Sequence, residues 1–319
     1  MKINIGIVGY GNLGKSVEKC IVSNSKFNLK AIFSRRTVKS KLGSKIEPYN
    51  EFMNYKSKID VMILCGGSKN DLIEQTPEIL KYFDVINSFD THAKIVDEYK
   101  KLNEIAINHN HRAIMCCGWD PGLFSIIRAL FLAISNKIPY TFWGKGLSMG
   151  HSDAIRQVAN VDDGVQFTIP IKEAVSNAKN GTLKNTNFLH ERECFICAKE
   201  KHQKQIEKDV KNIPNYFKGQ PTKINFVSQE KVMKLKSNTS HKGFIFSTFN
   251  TKNNTKSQLK FNVLMKSNSD FTATIITAYI TAILNLKKQN KNGAFTPLEI
   301  PVSFLFNDDK LEKLLKTIC

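Results

Sequence analysis

The 319-residue sequence predicts an α/β chain: a doubly wound parallel sheet, followed by an α+β region built on a mostly antiparallel sheet. Three observations carry this prediction. Apolar strand-like runs alternate with helical stretches over the first 120 residues, the pattern of βαβ units. The first such run leads directly into Gly9-Tyr10-Gly11-Asn12-Leu13-Gly14, which has G-x-G-x-x-G spacing. After about residue 138 the texture changes to short β-like runs separated by polar segments.

In chain order, the first region predicts strands at 3–8, 29–33, 61–65, 85–87 and 113–117, with helices at 15–23, 71–82 and 93–108. Gly118-Trp119-Asp120-Pro121-Gly122 then marks a turn into a helix at 123–135, with Asp120 as the cap and Pro121 in the first helical position. The second region predicts strands at 140–143, 166–169, 194–198, 223–227, 243–248 and 258–266, and helices at 171–178 and 204–212. An apolar helix at 271–286 is long enough to pack back on the first region. The expected domains are 1–120, completed by 268–319, and 121–267.

A parallel sheet binds ligands at the carboxyl ends of its strands. That rule selects the segments 9–14, 34–36, 65–68, 88–92 and 118–122. The glycine turn then reads as a Rossmann-type dinucleotide site. One glycine makes the bend, one admits the pyrophosphate and one lets helix pack on strand. Gly9, Tyr10, Gly11, Asn12 and Leu13 are expected to line the pyrophosphate, which sits on N–H groups at the helix start. Where an NAD site usually carries an acid, this chain has Ser34-Arg35-Arg36. Arginine offers planar bidentate donors to a 2′-phosphate, so the expected cofactor is NADP. Ser68, Lys69, Asn70 and Asp71 are expected near the ribose, capping the next helix. Asp90, Thr91, His92, Trp119, Asp120, Pro121 and Gly122 complete the edge near the nicotinamide.

Composition narrows the partners. The net charge is +19, from 47 basic and 28 acidic residues. Six of the 47 are arginine and the lysines are spread along the chain, which argues against a nucleic-acid reader. Seven cysteines without disulfide spacing fit a reducing compartment. Cys194-Phe195-Ile196-Cys197 has C-x-x-C spacing but no second pair, so it reads as a buried strand and no metal is expected. No apolar run reaches the ~18 residues that span a bilayer, and the chain enters a strand without a leader. The expectation is a cytoplasmic protein with no membrane partner.

The strings Val8-Gly9-Tyr10-Gly11-Asn12-Leu13-Gly14, Phe33-Ser34-Arg35-Arg36, Cys117-Gly118-Trp119-Asp120-Pro121-Gly122, Thr141-Phe142-Trp143-Gly144, Gly146-Leu147-Ser148-Met149-Gly150-His151-Ser152-Asp153-Ala154 and Asp270-Phe271-Thr272-Ala273 resemble the meso-diaminopimelate dehydrogenase family. Their order and spacing agree over essentially the whole chain. The resemblance implies NADP-dependent oxidative deamination at the D-centre of meso-2,6-diaminoheptanedioate, giving L-2-amino-6-oxoheptanedioate and ammonia. The reverse reaction would supply a lysine precursor. It also implies a homodimer.

The resemblance also implies roles. Asp90 and Asp120 would hold the D-centre amine, one of them relaying its proton. Trp119 and Trp143 would wall the substrate, although either could simply fill a core. Ser148, Met149 and Gly150 match the substrate loop, whose backbone N–H groups would take the D-centre carboxylate. The family pattern leads us to expect Gln where Met149 stands. Thr168, Arg192 and His241 would hold the distal carboxylate, and Asn268 the distal amine. The plainer alternatives are a strand-edge Arg192 paired with Glu191 or Glu193, an exposed loop His241, and Asn268 as the cap of the last helix.

Overall fold

The computed structural model describes residues 2–184, 186–237 and 240–318. The chain opens with β1 (Ile3–Val8), α1 (Asn12–Val22), β2 (Phe27–Ser34), β3 (Ile46–Pro48), β4 (Val61–Leu64), α2 (Asp71–Leu80), β5 (Asp84–Asn87), α3 (Ile95–Asn108) and β6 (Arg112–Ile114). It continues through α4 (Leu123–Ser135), β7 (Tyr140–Trp143), β8 (Gly146–Leu147), α5 (Met149–Arg156), β9 (Asp163–Pro170), α6 (Lys172–Asn180), β10 (His190–Cys197), α7 (Gln203–Asn212), β11 (Thr222–Phe226) and α8 (Gln229–Lys236). The last elements are β12 (His241–Asn250), β13 (Lys256–Met265), α9 (Asn268–Lys288), β14 (Gly293–Phe295) and α10 (Asp308–Ile318). Two compact units result: Met1–Ile126 with Ser269–Cys319, and Ile127–Asn268.

The first unit holds a seven-stranded sheet in the order β14-β6-β5-β4-β1-β2-β3, with every pairing parallel. Strand side chains alternate between two apolar clusters, as a sheet covered on both faces requires. Ile5, Ile7, Ile32, Val61 and Ile63 pack with Val17 and Ile21 of α1 and with Ile276, Ile280 and Ile283 of α9. Val8, Ala31, Phe33, Met62 and Leu64 pack with Leu72 and Ile79 of α2 and Leu102 and Ala106 of α3. The expected doubly wound sheet is therefore present. The short strands β3 and β14 extend it at its two edges.

The second unit has a four-stranded sheet, β11-β10-β9-β8, and a three-stranded sheet, β13-β12-β7. All pairings are antiparallel except β10 with β11, matching the mostly antiparallel expectation.

Four local expectations need correction. Asp120 does not cap α4, which starts at Leu123. Gly122 has φ +130°, and a Cβ there would lie 2.1 Å from the Gly118 carbonyl oxygen. The chain thus closes a tight turn, with the Gly118 N–H donating to the Pro121 carbonyl at 3.0 Å, before it can enter the helix. The strand expected at 113–117 stops at Ile114, because Cys116 takes a left-handed φ of 61°. Asn268 is the first residue of α9 rather than its cap. Finally, α9 is 21 residues long and apolar enough by length and composition to cross a bilayer. Its Ala273, Ile276, Ile280 and Ile283 are instead completely buried in the core of the first unit.

Candidate active site

The carboxyl edge of the parallel sheet carries a cavity of about 450 Å³. Tyr10, Gly11, Ser34, Arg35, Arg36, Gly67 and Asp71 are among its lining residues. The three glycines of the turn have separable jobs. Gly9 sits at φ +90°, where a side chain is strained. A Cβ on Gly14 would lie 2.1 Å from the Gly9 carbonyl oxygen, so only glycine lets α1 approach the turn. Gly11 differs: nothing lies within 4 Å of where its Cβ would stand. The protein does not need that space, and a phosphate group fits it. Gly11 is also the cap position of α1, with no side chain capping it and no acid in the first turn, leaving the first N–H groups for an anion. The residues fit a dinucleotide.

Hydrogen bonds organise the end of this cavity that carries Ser34, Arg35 and Arg36. Ser34 Oγ accepts from the Arg36 N–H at 3.1 Å. Arg35 donates to the Asp71 carboxylate, which also accepts from the Gly67 N–H at 3.0 Å. Asp71, rather than Asn70, therefore secures the start of α2, since Asn70 makes no capping bond. Ser68 reaches the neighbouring loop, its Oγ accepting from the Asp90 N–H at 3.0 Å.

Asp90 and Asp120 follow β5 and β6 on adjacent loops. A Cβ on Gly118 would stand 3.9 Å from Ser88 Cβ, so the two turns touch. The Cys117 N–H donates to the Asn87 carbonyl at 2.9 Å, fixing them together. Asp90 is exposed and Asp120 half-buried. Asp90 lies close enough to Cys116 to raise its thiol pKa, a smaller effect than burial, which drives it to about 12. Trp119 is 9% exposed, packed edge-on against Phe124 with ring centres 5.1 Å apart. Thr91 and His92 continue from Asp90, with His92 opening a 3₁₀ turn.

A second group of polar side chains gathers within the other unit. Arg192 on β10 stands opposite Thr168 on β9, and Thr168 stands opposite Gly146 on β8. A Cβ on Gly146 would lie 2.4 Å from His241 Cδ2, and one on Gly144 2.0 Å from the Thr168 carbonyl oxygen. These two glycines let Trp143, Thr168, Arg192 and His241 converge. His241 is 7% exposed and begins β12, so the exposed-loop alternative fails. Arg192 is on an inner strand of its sheet, and among the described residues no carboxylate pairs with it. Its Nη1 donates to Gln220 Oε1 at 3.1 Å, while its buried Nε meets no acceptor. Glu193 pairs instead with Lys145. Ser148 holds the cap position of α5, so Met149 and Gly150 present free first-turn N–H groups.

A meso-diaminopimelate D-dehydrogenase of Ureibacillus thermosphaericus is 42% identical over 313 residues, covering 95% of each chain. The chain belongs to this family. The family model for the diaminopimelic acid dehydrogenase C-terminal domain matches residues 118–267. The C. glutamicum diaminopimelate dehydrogenase in complex with DAP superimposes with a TM-score of 0.93 at 33% identity, covering 100% of this chain and 99% of that one. An engineered D-amino acid dehydrogenase bound to NADP+ gives 0.89 at 32% identity, covering 100% of each chain.

As a member of the meso-diaminopimelate D-dehydrogenase family, the chain carries polar groups that sequence reasoning left without a role. His190 Nε2 accepts from the Trp143 N–H at 2.8 Å, and its ring centre lies 5.1 Å from that of Trp143. His151 Nδ1 lies 2.7 Å from Ser148 Oγ. Gln166 is fully buried, with Oε1 unpartnered and Nε2 donating to Thr168 Oγ1 at 3.2 Å. His151 lies within the Gly146–Ala154 string, Gln166 two residues before Thr168, and His190 two residues before Arg192. For His190 and Gln166 the signal was a polar residue at an inward position of a strand; His151 lies on α5, where no such alternation applies. Met149 is 49% exposed at the first position of α5, and its thioether offers no amide in place of the expected Gln.

Proposed function

We propose that the protein is the NADP-dependent meso-diaminopimelate D-dehydrogenase of its source, catalysing reversible oxidative deamination to L-2-amino-6-oxoheptanedioate and ammonia. Membership of the family supports the reaction class. The observation that carries the substrate is Arg192: a half-buried guanidinium that pairs with no acid among the described residues calls for a carboxylate from outside the chain. Thr168, directly opposite, and His241 are the groups to share that distal carboxylate. Asn268 is assigned to the distal amine, and Trp143 to the wall of the pocket.

At the reacting end, Asp90 and Asp120 accept hydrogen bonds from the D-centre ammonium, and one takes its proton before the C–H bond breaks. NADP, when bound, supplies the hydride acceptor. Gly9 to Leu13 hold its pyrophosphate, and Ser34, Arg35 and Arg36 its 2′-phosphate. Ser68 to Asp71 border the ribose. Asp90 to His92 and Trp119 to Gly122 form the wall beside the reacting carbon. The N–H groups of Met149 and Gly150, with Ser148, take the D-centre carboxylate at the start of α5. Water then adds to the iminium carbon and ammonia leaves.

The same reading makes the protein a cytoplasmic homodimer without nucleic-acid or membrane partners. Leu130, Ile134 and Ile138 support the dimer: they stand 51%, 55% and 82% exposed along and just after α4, an apolar face suited to a second copy. Six free cysteines among the described residues suit a reducing compartment. The test is direct. Purified protein with meso-diaminopimelate and NADP reduces the nicotinamide, and the L,L-isomer does not substitute. Absence of reduction, or equal rates on both isomers, overturns the assignment.

A further inference from the structure

Glu18 is a buried charge for which the proposed chemistry has no use. It lies in the middle of α1 and is 1% exposed. Among the described residues no cation pairs with it. Its two oxygens are satisfied by hydroxyls from two other segments. Tyr10 Oη donates to Oε2 at 2.5 Å, and Ser40 Oγ donates to Oε1. Burying a carboxylate without a counter-charge is costly unless such donors are held in place.

The two donors come from the two chain segments that face the dinucleotide. Tyr10 is the middle residue of the Gly9–Gly11 bend and lines the cavity. Ser40 lies on the loop that follows Arg35 and Arg36. Its Oγ also accepts from the Leu42 N–H at 2.9 Å and the Ser44 N–H at 3.2 Å. That loop is therefore folded around Ser40, and Ser40 is fastened to Glu18.

We infer that Glu18 is a positioning residue for cofactor selection: through Tyr10 and Ser40 it holds the pyrophosphate turn and the arginine-bearing loop in fixed relation, so that Arg35 and Arg36 meet a 2′-phosphate already in place. The gain is pre-organisation of the phosphate clasp. The inference rests on the NADP reading above. It predicts that breaking the brace harms the phosphorylated cofactor selectively.

The experiment measures calorimetric dissociation constants for NADP+ and NAD+ on the intact protein, with kcat at saturating NADP+ and the melting temperature. Ser40→Ala removes one arm of the brace at a half-buried loop serine. Ser40→Thr keeps the hydroxyl, and Glu18→Gln removes the charge. Ser40→Ala and Glu18→Gln should weaken NADP+ by about 10- to 100-fold, the equivalent of one hydrogen bond to a charged group. NAD+ affinity and kcat should stay within about twofold, well under the energy of one such bond. Ser40→Thr should restore NADP+ binding. A wild-type chain that binds both cofactors equally overturns the NADP reading and this inference with it. A wild type that prefers NADP+ while Ser40→Ala keeps the full preference overturns the inference alone. So does parallel weakening of both cofactors with a lowered melting temperature, the mark of a merely structural role. Should Glu18→Gln not fold, the Ser40 pair still decides.

Discussion

Arg35 donates to the carboxylate of Asp71 at the mouth of the cofactor cavity. The arginine assigned to the 2′-phosphate is thus shared with a protein acid. Both side chains are partly solvated, at 58% and 29% exposure, and such pairs are worth about 1 kcal/mol or less. The phosphate can displace Asp71, but against a small penalty and a like charge. Asp71→Asn keeps an acceptor for the Gly67 N–H and removes the competing charge. Its KM for NADP should fall by up to about fivefold at low ionic strength, and by less at high salt, where the field is screened. A raised KM at every salt concentration would show that the carboxylate helps to hold the cofactor.

Removal of the clasp itself tests cofactor choice. Each charge-assisted hydrogen bond to a phosphate contributes about 1.5–3 kcal/mol. The double variant Arg35→Ala, Arg36→Ala should therefore raise the KM for NADP by about 100-fold or more, with the KM for NAD little changed. Equal losses for both cofactors would refute the assignment to the 2′-phosphate.

What the sequence made legible was local. The glycine turn follows from six consecutive residues, and apolar runs placed most of the parallel sheet. The cap expected at Asp120 failed because the rule is local while the turn is not. The close approach of Gly122 to the Gly118 carbonyl holds the chain back from the helix. Arg192 stood out by the scarcity of arginine, yet its want of an acid partner appears only once β9, β10 and β11 are side by side. Glu18 was hidden for the opposite reason. Between Lys15 and Lys19 it looks like an ordinary solvated helix acid, and only the folded loop at Ser40 encloses it.

The reacting end makes a kinetic prediction. General acid–base groups contribute about 10²- to 10⁴-fold. Asp120→Asn and Asp90→Asn preserve shape and remove the charge that receives the ammonium and its proton. At least one should lower kcat by about 100-fold or more, with NADP binding in the absence of substrate changing far less. Near-normal turnover in both variants would remove the two carboxylates from the mechanism.

At the distal end, Arg192→Lys keeps the charge but loses the planar fork. The KM for meso-diaminopimelate should rise by about 10- to 100-fold, the equivalent of one charged hydrogen bond. Deamination of D-2-aminohexanoate, which has no distal carboxylate, should proceed as in the wild type. Loss of activity on both substrates to the same degree would mean that Arg192 supports the fold rather than the substrate.

Beside Arg192, the histidines make acid sensitivity a property of this unit. His190 Nε2 accepts from the Trp143 N–H, a role that requires a neutral ring. Burial first, and the Arg192 charge second, lower the pKa of His190 to about 4 and that of His151 to about 4. Burial lowers His241 as well. In the unfolded chain each imidazole titrates near ~6.5. Below that pH the unfolded state takes up protons that the folded state refuses. The stabilisation is complete above ~6.5 and declines toward the folded pKa values, by about 1.4 kcal/mol per pH unit for each histidine. Urea unfolding between about pH 7 and pH 5 should show this slope. His190→Asn, whose amide oxygen can still accept from Trp143, should flatten it by the share of one proton. An unchanged slope in that variant would mean that His190 is protonated in the folded protein, and that the Trp143 contact does not depend on a neutral ring.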